Sequence, residues 1–190
     1  MKSKPFEGQV FQGETFEGNV MAEREFDQCT FINCIFQLAD LAKSTFSDCQ
    51  FKDCDLSMAN LSGTAFRDIS FINCKLLGLR FDTCNPFSLS IKFEGCALGF
   101  SSFFRQKIPK TSFKDCKLED VEFVEADLSN STFSQCDLSR AIFQNTNLEG
   151  ADFRTAFHFS IDPEANRIQK AKFSRDNIAG LLDKYRIKLD

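Results

Sequence analysis

The chain contains no Trp, a single Tyr and a single His among its 190 residues. Its aromatic residues are almost all Phe, 24 in number, and therefore carry no polar group that would need a hydrogen-bond partner when buried. This composition indicates an apolar core built from many equivalent Phe positions.

Long apolar runs are also missing. No stretch approaches the roughly 20 residues of a membrane span, and the segment 1–7 lacks the apolar part of a signal peptide. The nine cysteines form no Cys-x-x-Cys pair, which is typical of a reducing compartment. We therefore expect a cytoplasmic protein with no membrane partner. Its formal net charge of −4 gives no reason to expect direct nucleic-acid binding.

Large apolar residues recur at every fifth position. From Phe6 to Phe81, sixteen consecutive positions of this kind hold Phe, Leu or Met. The phase slips by two residues near Pro86 and continues from Phe93 to Phe153. A period of five matches neither an α-helix nor a β-strand, so neither element can place these residues on one face.

Four groups of five would close one coil if each group forms one side of a square. Successive coils would stack at roughly 4.8 Å, and residues 20 apart, or 22 across the slip, would form vertical columns. Like residues at successive levels are expected of a solenoid. The sequence thus predicts an all-β fold, a quadrilateral β-helix of about nine coils. One column holds Phe throughout: Phe11, Phe31, Phe51, Phe71, Phe93, Phe113, Phe133, Phe153 and Phe173.

A second inward position, two residues before each large one, holds small side chains. All nine cysteines occupy it. A straight ladder with roughly 4.8 Å between levels cannot surround an ion with four ligands at about 2.3 Å, as zinc requires. We therefore expect structural thiols and no cofactor. Six of them should form one column: Cys34, Cys54, Cys74, Cys96, Cys116 and Cys136.

Short motifs such as Ala59-Asn60-Leu61 and Ala126-Asp127-Leu128 resemble the A(D/N)LXX signature of pentapeptide-repeat proteins. The resemblance covers residues 6–178. It implies a right-handed β-helix and a family without known catalysis. The segment 157–168 resembles the closing segment of the quinolone-resistance (Qnr-type) and microcin-immunity branch of that family.

Two interruptions and a tail divide the chain. We expect a repeat domain over residues 1–173, with the register slip near 86–92 and an irregular bulge at 157–167. A short C-terminal α-helical cap and tail would follow over 174–190, with Ser174 as the helix-capping residue. An apolar stripe of this helix would cover the last coil or form a two-fold dimer contact: Ile178, Leu181, Leu182 and Tyr185.

Catalytic residues are not evident. His158 occupies an inward phase, so we expect it to be buried or capping and not a general base. A filled rod offers no cleft in which an acid, a base and a nucleophile converge, and the sequence has no phosphate-binding loop. The prediction is that the protein is not an enzyme.

Charge gives one further signal. Residues 1–160 carry 22 acidic and 16 basic side chains, a net of −6, whereas residues 161–190 carry five and seven, a net of +2. The densest acidic cluster is a candidate partner-binding surface: Asp115, Glu119, Asp120, Glu122, Glu125 and Asp127.

Two functions remain open from the sequence. The first is a rigid scaffold that binds a protein partner through its flat sides. The second, implied by the resemblance to Qnr-type proteins, is a DNA mimic that binds DNA gyrase or topoisomerase IV and modulates sensitivity to quinolones or toxins. A rod of about nine coils would be roughly 42 Å long. Duplex DNA of that length carries about 25 charges, so a net charge of −6 imitates it weakly.

Overall fold

The computed structural model describes residues 5–19 and 21–188. Both predicted domains include residues that lie outside the described ones: 1–4 and 20 in the first domain, and 189 and 190 in the second. The described chain forms one parallel sheet of ten short strands: β1 (Phe6–Glu7), β2 (Val10–Gln12), β3 (Glu25–Asp27), β4 (Thr30–Ile32), β5 (Thr45–Ser47), β6 (Gln50–Lys52), β7 (Ala65–Ile72), β8 (Leu89–Glu94), β9 (Ser112–Lys114) and β10 (Thr132–Ser134).

Each strand pairs in parallel with strands one coil away. Phe11 pairs with Phe31, and Phe31 pairs with Phe51, so that one coil takes four groups of five. Between β7 and β8 the coil is longer by two residues, and Phe71 pairs with Phe93. The ladder therefore keeps each inward residue above the same position of the neighbouring coil.

The strand ladder is shorter than the sequence predicts. Its longest path runs through β2, β4, β6, β7, β8, β9 and β10, which amounts to about six turns of the chain. Beyond β10, Thr132 joins Asp152 and Asp152 joins Lys172 through isolated bridges only. The fold is an all-β parallel solenoid. The prediction of about nine coils is not supported by its strands, because much of each coil consists of turns and single bridges.

The corners of the coil have a characteristic backbone conformation. Every fifth residue from Glu23 to Gly78, and again from Gly95 to Gly150, has a φ between 51° and 70°. This left-handed conformation favours Gly, Asn and Asp. Four such corners complete one coil. We name its sides a, b, c and d after the inward columns that begin at Phe6, Phe11, Phe16 and Met21.

The Phe column of side b forms one continuous stack. Phe31 also meets Phe46 of side a edge-on, with centroids 6.1 Å apart. Offset stacks and edge contacts are favoured aromatic geometries, worth about 0.5–1.5 kcal/mol each beyond burial. The predicted column is confirmed, with adjacent ring centroids 4.6–5.5 Å apart through Phe11, Phe31, Phe51, Phe71, Phe93, Phe113, Phe133, Phe153 and Phe173.

The small inward side chains also join successive coils. The Thr64 hydroxyl donates to the Leu41 carbonyl oxygen at 2.8 Å. The Cys54 Sγ lies 3.4 Å from the Phe31 carbonyl oxygen in the equivalent arrangement. These contacts supply the buried carbonyls with donors from the core. Small polar residues at this second inward position therefore link neighbouring coils.

All nine cysteines are buried free thiols, as the sequence predicts. Burial raises the pKa of Cys49 to about 11, and burial also raises the pKa of Cys84. These two thiols therefore stay protonated at neutral pH, where a protonated thiol is a poor nucleophile. The cysteines serve the packing of the core.

The predicted C-terminal α-helix is wrong. The segment contains two 3-10 helices, Ile178–Leu181 and Asp183–Tyr185. The Gly180 carbonyl accepts a hydrogen bond from the Ile161 N–H of the repeat region at 2.9 Å. A Cβ added to Gly180 would lie 2.2 Å from the Phe159 carbonyl oxygen. This close docking uses a carbonyl that an α-helix would need for itself, so the chain takes tighter turns.

The prediction that His158 is buried is also wrong. His158 is a corner residue with a φ of 58°, and 65% of its side chain is exposed. Its Nδ1 lies 3.0 Å from Asp137 Oδ1. Phe159 takes the inward place and packs 5.8 Å from Phe153. The cause is a corner that forms two residues earlier than the period of five requires.

Replacing Phe113 or Phe51 by Asp should prevent folding. Both side chains are 0% exposed within the side b stack. An unpaired carboxylate there would lose its hydration at a cost comparable with the roughly 5–15 kcal/mol by which a domain is stable. Soluble yield and circular dichroism measure the effect. Ser112→Asp is the matched control, because it adds the same charge on the exposed side of β9. Unchanged circular dichroism in Phe113→Asp would contradict the column.

The native thiols should react slowly with a thiol reagent at pH 8 and rapidly in denaturant. All nine are buried, so labelling requires opening of a coil. Absorbance with a disulfide reagent follows the reaction. Ser112→Cys provides one exposed thiol as a reference and should react at least about a hundredfold faster than the native set. Equal rates for the native and introduced thiols would show that the core is open.

Candidate interaction surfaces

The depressions on the rod surface are shallow. A depression of about 460 Å³ beside the C-terminal segment includes Asp162 and Lys184, which already pair at 2.7 Å. Among the described residues, no three His, Cys, Asp or Glu side chains are placed to hold a metal ion. No helix in the same part of the chain has the length and apolar character needed to cross a bilayer. Another depression, of about 270 Å³, is lined by Asp68, Ile69, Ser90, Ile91, Lys92, Lys110 and Ser112.

The six predicted acidic residues do not share one face. Residues adjacent in the sequence are carried around the coil, whereas a face requires residues that lie one coil apart. Asp115, Asp120 and Glu125 lie at the b–c, c–d and d–a corners. Glu119, Glu122 and Asp127 lie on sides c, d and a.

Two arginines pair with three of these six carboxylates. Arg140 pairs with Glu119 and Asp120, and its Nη2 lies 2.8 Å from Asp120 Oδ2. The hydrogen bonds of Arg140 lower the pKa of Asp120. Arg105 Nε lies 2.7 Å from Glu125 Oε2. The cluster is therefore less negative than its sequence indicates.

Ion pairs of this kind recur along the rod between residues one coil apart. Each exposed pair contributes only about 0–1 kcal/mol to stability. Their effect on the surface potential matters more, because acid and base alternate within a column and interrupt an acidic stripe. The pairs span 2.7–4.0 Å: Glu23–Lys43, Asp55–Lys75, Glu94–Lys114, Arg105–Glu125, Asp120–Arg140 and Asp152–Lys172.

The C-terminal segment lies against the last coil. Asn177 Nδ2 donates to the carbonyl oxygens of Phe153 at 2.8 Å and Ala156 at 2.9 Å. The Phe153 carbonyl also accepts a hydrogen bond from the Ala156 N–H at 3.1 Å. Asn177 thus ties the segment to two backbone carbonyls near the end of the solenoid, where unpaired edges invite association. Lys184 Nζ lies 2.7 Å from carboxylate oxygens of both Asp162 and Glu164.

The four predicted contact residues of this segment divide into two groups. Leu181 packs against the core, and Leu182 is half-buried. Ile178 and Tyr185 are exposed, and the Tyr185 hydroxyl donates to Glu164 Oε1 at 3.0 Å. That these four residues cover the last coil, or form a two-fold dimer contact, stays a prediction.

A loop at residues 85–88 carries an exposed aromatic side chain. Phe87 is 96% exposed. Two hydrogen bonds hold the loop: the Phe87 N–H donates to Asn85 Oδ1 at 3.1 Å, and the Phe66 N–H donates to the Ser88 carbonyl at 2.8 Å. The turn therefore holds a phenyl ring in water, which is unfavourable unless a partner covers it.

Side c carries an exposed apolar stripe, which we call the side c stripe. Backbone hydrogen bonds link its coils, as between the Met58 N–H and the Leu77 carbonyl at 2.9 Å. The Met58 side chain lies over Gly78, where an added Cβ would meet its sulfur at 2.5 Å. Its members are 40–69% exposed and belong to four successive coils: Ile35, Leu38, Met58, Leu77 and Phe100.

Three members of the side c stripe are corner residues. Leu38, Met58 and Phe100 have φ values of 58°, 58° and 61°. Large side chains in this conformation cost roughly 1–2 kcal/mol each, and Gly, Asn or Asp would avoid this cost. The stripe is thus unfavourable both in conformation and in hydration. Reading the outward residues coil by coil would have revealed it from the sequence.

Comparisons with known proteins agree with this architecture. A family model described as "Pentapeptide repeat region" matches residues 24–103, 87–157 and 106–181. No curated protein matches the chain.

Two solved structures of QnrB1 show the same fold. A trypsin-treated variant of QnrB1, a plasmid-mediated fluoroquinolone resistance protein, is 19% identical with a TM-score of 0.79, and the match covers 97% of this chain and 93% of that one. A second trypsin-treated QnrB1 variant is also 19% identical, with a TM-score of 0.73 and coverage of 98% and 100%. HetL, from the cyanobacterium Nostoc, is 16% identical with a TM-score of 0.40 and coverage of 88% and 86%.

The five-residue period, the stacked inward columns and the family match extend over most of the chain. The protein therefore belongs to the pentapeptide-repeat family.

Proposed function

We propose that the protein is a non-enzymatic, rigid scaffold that binds a protein partner through the loop at residues 85–88. The observation that carries this proposal is Phe87, 96% exposed at an ordered corner of the rod. Exposed aromatic anchors on pre-ordered backbone are typical centres of protein interfaces. The scaffold would act in the cytoplasm, where free thiols stay reduced.

The rod beneath the loop supports this role because it fixes the position of the anchor. Asn85 donates its backbone N–H to the Thr64 carbonyl at 2.9 Å, and Cys84 is buried directly before it. The chain resumes the ladder at β8, where Ile91 pairs with Ile69. Little conformational entropy would be lost when a partner covers a ring held in this way.

The chemistry of the partner follows from the loop. A phenyl ring fits an apolar pocket. Arg67 lies beside the loop, with its Nε 3.4 Å from Ser88 Oγ. A partner surface with an apolar pocket and a neighbouring carboxylate would match both side chains.

Substituting Phe87 by Ser should remove partner binding while leaving the fold unchanged. A hot-spot aromatic contributes about 2 kcal/mol or more, which corresponds to about a thirtyfold loss of affinity. Full-length wild-type protein and the variant serve as baits in a quantitative pull-down, with the captured proteins identified by mass spectrometry. Ile142→Ser is the matched control, because Ile142 is 50% exposed on side d. Equal capture of every protein by wild type and Phe87→Ser would contradict the proposal.

A second candidate function is modulation of DNA gyrase or topoisomerase IV. The similarity to QnrB1, a fluoroquinolone resistance protein, supports it over 97% of this chain. The alternating charges of the columns weigh against imitation of DNA by a continuous acidic stripe. A smaller local surface would have to make the contact.

A gyrase supercoiling assay tests this second function. Purified protein is titrated into the reaction with and without a fluoroquinolone. Inhibition of supercoiling, or protection from the drug, at about 1–10 µM protein is the result expected of a gyrase-binding member. Arg140→Glu removes the countercharge of Glu119 and Asp120 and should strengthen binding if the acidic residues make the contact. No effect of the wild-type protein up to about 100 µM would reject this function.

A further inference from the structure

We infer that the side c stripe is the contact surface of a second copy of this chain, with the two rods antiparallel and side by side. The inference goes beyond the proposed function and uses a different surface. The stripe surrounds the c–d corner, whereas the Phe87 loop stands at the d–a corner.

The stripe supplies a large part of the area that a dimer contact needs. Its five apolar side chains expose 40–69% of their surface, or roughly 500 Å² together, at the upper end of apolar patches on monomers. Stable interfaces bury about 800 Å² per partner. The polar residues beside the stripe would supply the remainder.

The vertical register makes this side complementary to itself. A two-fold axis that crosses side c between the coils of Met58 and Gly78 reverses the order of coils. Each outward column then faces the same column of the second copy, read in the opposite direction. Leu38 would face Phe100 of the second copy, and Met58 would face its Gly78. A large side chain thus meets a small residue at the centre, and apolar side chains meet on either side of it.

The charges on side c obey the same symmetry. The bridge register of this side runs from Ile35 to Asp55, then to Lys75 and Ala97. Under the antiparallel axis Asp55 would face Lys75 of the second copy, and Lys75 would face its Asp55. Within one chain this pair is loose, with Nζ and Oδ2 3.9 Å apart and the lysine side chain 69% exposed. Ile35 would face Ala97, which is again a large residue against a small one.

A parallel arrangement lacks this complementarity. An axis along the rods would exchange the two edges of side c and place Asp55 near Met58, with charge against an apolar side chain. One contact of the antiparallel pair is unfavourable, since Glu17 would face Glu119 at the margin. Arg140 already pairs with Glu119 there and offsets part of the repulsion, and solvent and salt screen the interaction of exposed charges.

The residue types at the c–d corner provide a second argument. Leu38, Met58 and Phe100 each adopt a positive φ at positions where Gly, Asn or Asp would be more stable and more soluble. Gly78 occupies the same column, opposite Met58 under the proposed axis. The column therefore contains large and small residues in the order that an antiparallel contact needs.

Sedimentation equilibrium of the full chain over about 1–200 µM tests the proposal. The wild type should pass from monomer to dimer within this range. Met58→Asp should weaken the dimer by at least about thirtyfold without changing the circular dichroism. Ile142→Asp, with the same charge placed on side d, should dimerise as the wild type does. A wild type that stays monomeric throughout, or a dimer that survives Met58→Asp, would overturn the proposal.

Charge exchange tests the register. Asp55→Lys places like charges opposite each other and should weaken the dimer, whereas Asp55→Lys combined with Lys75→Asp should restore it. Ile178→Ser changes the C-terminal segment and not the side c stripe, so this variant should still dimerise. A dimer lost in Ile178→Ser but retained in Asp55→Lys would assign the contact to the C-terminal segment and refute the side c contact.

Introduced cysteines test the antiparallel direction, since the native thiols are buried. A mixture of Leu38→Cys and Phe100→Cys proteins should form a mixed disulfide across the interface. Either variant alone should not, because equivalent residues would be three coils apart, roughly 14 Å, beyond the reach of a disulfide. Faster self-coupling of Phe100→Cys than mixed coupling would refute the antiparallel register. The Phe87→Ser variant should dimerise normally, so failure of the scaffold proposal is distinguishable from failure of this one.

Discussion

The structure depends on one constraint: every inward side chain must fit the side chain at the same position of the next coil. The stacked rings of side b, 4.7 Å apart at Phe31 and Phe51 and 5.5 Å apart at Phe71 and Phe93, match the spacing of the backbone ladder. A shift of the rings would break the backbone ladder, and a shift of the ladder would break the ring stack. The same constraint favours small residues at the second inward position, where thiols and hydroxyls bond the neighbouring coil. The larger Ile69, Leu79 and Val121 are also buried at this position. Stability is therefore distributed over many nearest-neighbour contacts.

The sequence predicts the parts of the fold that this constraint controls. The Phe column and the buried cysteines follow from spacing alone, because each position is repeated at many levels and a local exception does not hide the pattern. The C-terminal segment and His158 were predicted wrongly, because each depends on a single local event. Docking of Gly180 against Phe159 decides the first, and a corner that forms early decides the second. Neither event is repeated, so no period could indicate it.

The candidate surfaces were harder to predict for a geometric reason. A cluster in the sequence is spread around a coil, as with Asp115 and Asp127, whereas a cluster on a side is spread along the sequence, as with Leu38 and Phe100. The acidic residues form a group in the sequence, but the fold separates them. The side c stripe was missed although the fold assembles it. The exposure of Phe87 could not be predicted either, because a period of five does not determine the conformation of an inserted segment.

The insertion near Pro86 also has a consequence for the way this architecture changes. The strands before it and the strands after it pair with the same spacing, and only the one step between Phe71 and Phe93 is longer. The backbone ladder restores the register within a few residues, so the irregularity does not propagate to distant coils. A corner of this solenoid can thus gain or lose residues while every other coil keeps its neighbours. New surface features can arise at corners independently of the stacked core.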